Sequence, residues 1–114
     1  MPRFVILEHD HPVLHWDLML ETGEILRTWR LAVLPKPKLE IPATYLSEHR
    51  RMYLDYEGPV SGNRGRVARW DSGTYSVHEE HDDQLGFVLD GGRLKGTAEL
   101  IRKAGNEWIF RFGD

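Results

Sequence analysis

The chain contains no cysteine. That removes disulfides, thiolate metal ligands and thiol nucleophiles together. Any metal site has to use His, Asp and Glu, donors that suit Mn, Zn, Fe or Ni better than soft copper. No apolar run approaches the ~20 residues that cross a bilayer as a helix. The apolar stretch at residues 4–7 is too short for a signal peptide and meets Glu8 at once. With thiols absent as well, the expectation is a cytoplasmic protein with no membrane partner. Nor is positive charge in excess: 15 basic against 18 acidic residues leave a net charge of −3. This excludes nonspecific coating of nucleic acid but leaves room for a local pocket that grips one nucleic-acid end.

What is present is enough for a core. In 114 residues, 40% are hydrophobic, with four Trp, four Tyr and four Phe, which suits one modest domain over residues 1–114. The hydrophobic period is two almost throughout. Leu14, Trp16, Leu18 and Leu20 alternate with His15, Asp17 and Met19, as in a half-buried strand. Arg3–His9 is rich in β-formers, Asp10-His11-Pro12 has turn chemistry, and Glu21-Thr22-Gly23-Glu24 turns the chain into Ile25–Leu31. Three prolines within residues 35–42 predict an extended surface loop, because proline is excluded from central strands. Residues 43–50 fit either a helical turn or a short strand. Further strands are predicted at 53–57, 66–70, 74–79, 84–89, 93–102 and 107–112. Between them fall a glycine-rich loop at 58–65, a turn at Asp71-Ser72-Gly73, a loop at His81-Asp82-Asp83 and a hairpin at Asp90-Gly91-Gly92. Many short strands without a long helix predict an all-β fold, a small antiparallel β-barrel of about eight strands. Closure is favoured because it removes sheet edges.

The six histidines cluster. Residues two apart on a strand share a face, so His15 and Asp17 project side by side, and His9 ends the preceding strand. Two imidazoles and a carboxylate make a three-point ligand set with positions open for water or substrate. A metal there can polarise a phosphoryl oxygen and lower the pKa of bound water. The same spacing also occurs as a plain hydrogen-bonded surface pair, and spacing leaves both readings open. His11, beside a proline, reads as solvated. His78 and His81, among Glu79, Glu80, Asp82 and Asp83, read as part of an exposed acidic loop.

A longer ordered series follows the same opening. Phe4-Val5-Ile6-Leu7-Glu8-His9 and Leu14-His15-Trp16-Asp17-Leu18 are followed by Glu48-His49 with Tyr53, then Glu57-Gly58 and Gly62-Asn63-Arg64-Gly65. Trp70-Asp71-Ser72-Gly73-Thr74-Tyr75, Leu94-Lys95-Gly96, Leu100-Ile101-Arg102 and Trp108-Ile109 complete it. The series resembles the 3′-phosphoesterase domain of bacterial DNA ligase D. The resemblance implies an eight-stranded barrel with a metal and phosphate site on one surface. It also implies removal of a 3′-phosphate or a 3′-terminal ribonucleoside before DNA is sealed. His9, His15 and Asp17 would then be the metal ligands, with manganese the first choice of divalent ion. His49 and Tyr53 would face the scissile phosphate as catalytic groups.

Two departures stand out. The family carries an arginine two residues after the metal-binding Asp, where this chain has Met19. A second arginine, expected eight residues before His49, is here Ile41. Methionine brings neither charge nor a donor, whereas arginine clamps are the usual means of holding phosphoryl charge. Arg51, which would share a face with His49 and Tyr53 on a regular strand, and Arg64 in the glycine loop are the candidate phosphate-binding substitutes. A metal-dependent DNA or RNA 3′-end phosphoesterase in DNA end repair is the first reading. The alternative is a catalytically weak module that keeps the metal and binds nucleic-acid ends or a repair partner; a purely structural β-domain is a third. The expected partners are DNA or RNA 3′ ends, with ligase or polymerase components acting in trans.

Overall fold

The computed structural model describes residues 1–113. Its strands are β1 (Arg3–His9), β2 (His15–Thr22), β3 (Ile25–Leu31), β4 (Glu40–Tyr45), β5 (His49–Arg50), β6 (Gly58–Pro59), β7 (Arg66–His81), β8 (Gln84–Gly91), β9 (Lys95–Ala104) and β10 (Glu107–Phe112). A single turn of 3-10 helix, Arg51–Leu54, lies between β5 and β6. Eight strands close an antiparallel barrel in the order β1-β2-β3-β4-β10-β9-β8-β7, with β7 pairing back onto β1. The all-β barrel expected from the period-two pattern is therefore the fold. The two short strands add to its outside: β5 lies on β3 and β6 on β7.

Apolar side chains fill two layers. The barrel interior is packed by Phe4, Ile6, Leu18, Leu20, Trp29 and Phe110, among others. A second cluster sits outside the wall, where Val5, Leu7, Met19, Leu26 and Val67 pack under Leu54 of the 3-10 turn. Residues 46–65 thus form a roof over the outer face of β1, β2 and β3. The roof changes the reading of β2. That strand is not half-buried, because His15, Asp17 and Met19 on its outer face are as enclosed as Leu18 and Leu20 on its inner face. Leu14, expected among the inward set, is instead 49% exposed just before the strand begins.

Several local expectations are corrected. Residues 53–57 do not form a strand. The chain closes a 3-10 turn, with the Asp55 N–H donating to the Met52 carbonyl (3.1 Å), so that Leu54 points down into the second cluster. The proline-rich stretch is a loop only as far as Leu39, since β4 begins at Glu40 and takes in Pro42. Pro42 stands opposite Ile109 of β10. Its carbonyl accepts from the Ala32 N–H (3.1 Å), just beyond the end of β3. A residue's N–H and C=O point the same way on a strand, so the missing N–H also faces Ala32, at the point where the regular pairing with β3 ends. The ambiguous segment 43–50 resolves into the end of β4 and all of β5, while Gly58-Pro59, read as loop, forms β6.

Asp71-Ser72-Gly73 is not a turn either. It lies inside the continuous β7, which runs through to His81 and leaves Asp82-Asp83 as the turn. The buried Asp71 carboxylate accepts the backbone N–H groups of Gly92, Arg93 and Leu94 at 2.8–2.9 Å. It thereby orders the β8–β9 connection, which falls two residues later than the Asp90-Gly91-Gly92 expectation. Gly73 is needed for a close approach rather than for bending, because a Cβ there would collide with the Asp90 carbonyl.

Leu54 is 3% exposed and is the only buried side chain of the 3-10 turn. Leu54→Ala should loosen the roof by about 2–3 kcal/mol. In amide hydrogen exchange, residues 49–60 should exchange faster while β8, β9 and β10 keep their protection. A uniform loss over both regions would show that the roof is not a separate layer.

Candidate metal centre

Strand pairing assembles the site. Across β1 and β2, His9 stands opposite His15 and Leu7 opposite Asp17. Across β2 and β3, Asp17 stands opposite Arg30 and Met19 opposite Thr28. On the far edge of β3, His49 of β5 stands opposite Leu26. Directly opposed residues share a face of a sheet, so the outer face carries His9, His15, Asp17, Met19, Arg30 and His49 together. The roof closes over them, leaving a groove of about 290 Å³ that all of these except His15 line, together with His11, Tyr53 and Arg64.

The two imidazoles are fixed by their outward nitrogens. His15 Nδ1–H donates to the Val13 carbonyl (2.7 Å), and His9 Nε2–H donates to the Arg64 carbonyl (2.8 Å). The remaining lone pairs, on His15 Nε2 and His9 Nδ1, face Asp17 at 3.3 and 3.6 Å. The three donor atoms lie within 4.8 Å of one another. His15 Nε2 and Asp17 Oδ1 are fully enclosed and neither has a hydrogen-bond partner. Buried polar atoms are rarely left so. Two orphaned atoms facing one point, with each imidazole held at its other nitrogen by a backbone carbonyl, fit a divalent ion. Of the two readings that spacing left open, a surface hydrogen-bonded pair does not survive: His15 and Asp17 are each only 4% exposed.

Burial opposes a charge on His15. The Asp17 contact, the Asp17 charge and the Val13 carbonyl outweigh it, with Arg30 opposing them, and the pKa stands above the ordinary histidine value. An ion at this site competes with a proton for His15 Nε2.

His49 and Tyr53 come together across the groove, their rings 6.0 Å apart and inclined at 71°. His49 Nδ1–H is held by the Ser47 carbonyl (2.9 Å), which leaves Nε2 free. Tyr53 also packs on the second cluster and on Tyr56, so it serves both packing and the groove. Arg51 is a correction. Because it opens a 3-10 turn rather than continuing a strand, its guanidinium swings to Glu21 (2.6 Å) and Glu24 (3.7 Å) and lines no part of the groove. The backbone N–H of Arg3 and the Arg51 pair hold the Glu21 carboxyl below its ordinary range against the effect of burial. Arg64 does line the groove, but its Nε and Nη2 donate to the carbonyl and hydroxyl of Ser61 (2.7 and 3.2 Å). Ile41 lies in the barrel interior and lines no part of the groove. Arg30 was missed, although counting outward from the Thr22–Ile25 turn places it opposite Asp17.

A family model described as the DNA ligase D 3′-phosphoesterase domain matches residues 7–102. The chain belongs to that family. It is 36% identical over 115 residues to the multifunctional non-homologous end joining protein LigD of Mycobacterium bovis, covering 93% of this chain and 15% of that protein. The corresponding Mycobacterium tuberculosis protein matches equally. The LigD of Pseudomonas aeruginosa is 30% identical over 110 residues, 88% of this chain and 13% of that protein. The chain therefore corresponds to a small part of each LigD relative. No helix among the described residues is long and apolar enough to cross a membrane.

Isothermal titration of Mn²⁺ should give one site in the wild type and lose its heat in Asp17→Asn; unchanged binding in that variant would dismiss the triad. A pH dependence follows from His15. Without metal, its raised pKa adds stability below the unfolded value of about 6.5, and that gain is lost as pH rises through the folded value. The metal works in the opposite direction. The Mn²⁺-induced rise in Tm should therefore be larger near pH ~8 than near pH ~6. A rise independent of pH would contradict binding at His15.

Proposed function

We propose that this member of the DNA ligase D 3′-phosphoesterase family is a metal-dependent phosphoesterase of DNA or RNA 3′ ends. It removes a 3′-phosphate or a 3′-ribonucleoside during DNA end repair. The observation that carries the reading is the groove itself, in which a metal-ligand triad with two unpartnered donor atoms opens beside His49 and Tyr53. Its volume of about 290 Å³ lies at the small end of ligand sites. That suits a strand terminus, a sugar and its phosphate, rather than a duplex.

His9, His15 and Asp17 would hold the ion, with manganese the first choice. Such an ion supplies Lewis acidity toward a phosphoryl oxygen and lowers the pKa of a coordinated water. The chain's own groups carry the rest. In 3′-phosphate hydrolysis, water forms the new bond to phosphorus, the bond from phosphorus to O3′ breaks, and O3′ takes up a proton. His49, held by Ser47, presents Nε2 to the groove and can deliver that proton. Tyr53 supplies a hydroxyl donor to a phosphoryl oxygen. Burial of His15 and Asp17 lowers the local dielectric and strengthens the electrostatic interactions at the triad.

One observation favours the alternative, a binding module with little turnover: Met19 is buried and apolar on the groove floor. Primers ending in 3′-phosphate or a 3′-ribonucleotide separate the two readings. The enzyme reading expects Mn²⁺-dependent trimming by the wild type and a loss of about a hundredfold or more in His49→Ala. Mn²⁺ affinity should be retained in that variant. Full activity in His49→Ala removes this residue from the mechanism. Binding of the primers without any product supports the module.

A further inference from the structure

Arginines are the residues by which a protein of this charge balance would grip a phosphate, and the structure accounts for most of those near the groove. Arg51 is bound to Glu21 and Glu24. Arg64 is tied down by Ser61. Arg3 pairs with Asp55, Arg27 with Glu80 and Arg69 with Glu57. Arg30 differs from all of these. It is the next-to-last residue of β3, half-buried, directly opposite Asp17, and lines the groove. Among the described residues it forms no ion pair within 4.0 Å, not even with Asp17 beside it, and its Nε is fully enclosed without a hydrogen-bond partner. A half-buried guanidinium with an unused donor is costly unless an acceptor arrives.

We infer that Arg30 is the anion-binding residue of this groove, its guanidinium receiving the non-bridging oxygens of a phosphate monoester or diester beside the triad. The identity of the anion as a strand-terminal phosphate rests on the proposed phosphoesterase reading; the binding of phosphate by Arg30 does not. Three features support the assignment. A planar guanidinium matches two phosphate oxygens with parallel donors, which a lysine does not. A position on a barrel strand paired on both sides, with Asp17 of β2 and Thr44 of β4, holds that plane more firmly than a loop. Asp17 is the carboxylate nearest in register, and in a metal-bound triad its charge is directed to the ion, so Arg30 keeps its donors for a ligand.

The geometry also explains how position 19 can be apolar. Met19 stands opposite Thr28, one pleat from Arg30 on the same face. Side chains at these diagonal positions reach the same part of the groove. A cation at 30 therefore makes a second cation at 19 unnecessary and electrostatically unfavourable.

Inorganic phosphate is the probe, titrated calorimetrically into Mn²⁺-loaded and metal-free protein, with Mn²⁺ affinity measured in parallel. Arg30→Met should weaken phosphate binding about tenfold to a hundredfold while leaving Mn²⁺ affinity within about twofold. Arg30→Lys, which keeps the charge and the fold, should fall between. Adding Met19→Arg to Arg30→Met should restore part of the loss. Phosphate affinity unchanged in Arg30→Met would overturn the assignment. So would parallel loss of phosphate and Mn²⁺, which would make Arg30 a support for Asp17, or no recovery in the double variant. Failure of the wider reading looks different: phosphate binding that depends on Arg30, with no trimming of any 3′ end, would leave this inference standing and remove the activity.

Discussion

A carboxylate buried on the outside wall of a barrel is the constraint around which this molecule is arranged. Asp17 is 4% exposed. It has His15 at 3.3 Å and His9 at 3.6 Å, and burying such a charge is costly unless it is paired or coordinated. The arrangement spreads outward from there. His15 is turned by the Val13 carbonyl, so the β1–β2 connection is part of the site. His9 is turned by the Arg64 carbonyl, so the glycine loop is part of it as well. The roof, anchored by Leu54 on the second cluster, lies over this face and carries His49 and Tyr53 to the groove that Asp17 lines. Binding groups and catalytic candidates are thus held by the same apolar layer that encloses the charge.

This layering explains what could be read in the sequence and what could not. Alternation in residues 14–20 specified a strand and paired His15 with Asp17 correctly, because period two is a property of the backbone. It could not show that both faces are buried, since the roof comes from residues 46–65, remote in sequence. Residues 53–57 read as a strand, yet Tyr53 and Leu54 close the 3-10 turn that begins at Arg51, because one buried leucine over the second cluster is enough to anchor it. Pro42 and Gly73 both suggested breaks and both lie within strands. One stands where the pairing with β3 ends, and the other makes room for the Asp90 carbonyl. Neither condition is visible without the partner strand.

The arginines show the same limit. Arg51 was placed by assuming a regular strand, and one 3-10 turn re-aims it to Glu21. Arg64 contributes chiefly its backbone carbonyl. Arg30 was accessible from the sequence, because a two-residue turn between Thr22 and Ile25 fixes every β2–β3 pair by counting, and that count sets 30 against 17. An arginine's reach allows one strand to supply a charge that its neighbour lacks, so the absence of charge at one position does not empty the groove of charge.

The central claim is that the buried triad is a divalent-metal centre. Diffraction from crystals equilibrated with saturating Mn²⁺, collected at the manganese absorption edge, tests it most directly. The account predicts one anomalous peak about 2.0–2.3 Å from His9 Nδ1, His15 Nε2 and an Asp17 oxygen. A triad without an anomalous peak at saturating Mn²⁺, its imidazoles hydrogen-bonded to Asp17 instead, would contradict it.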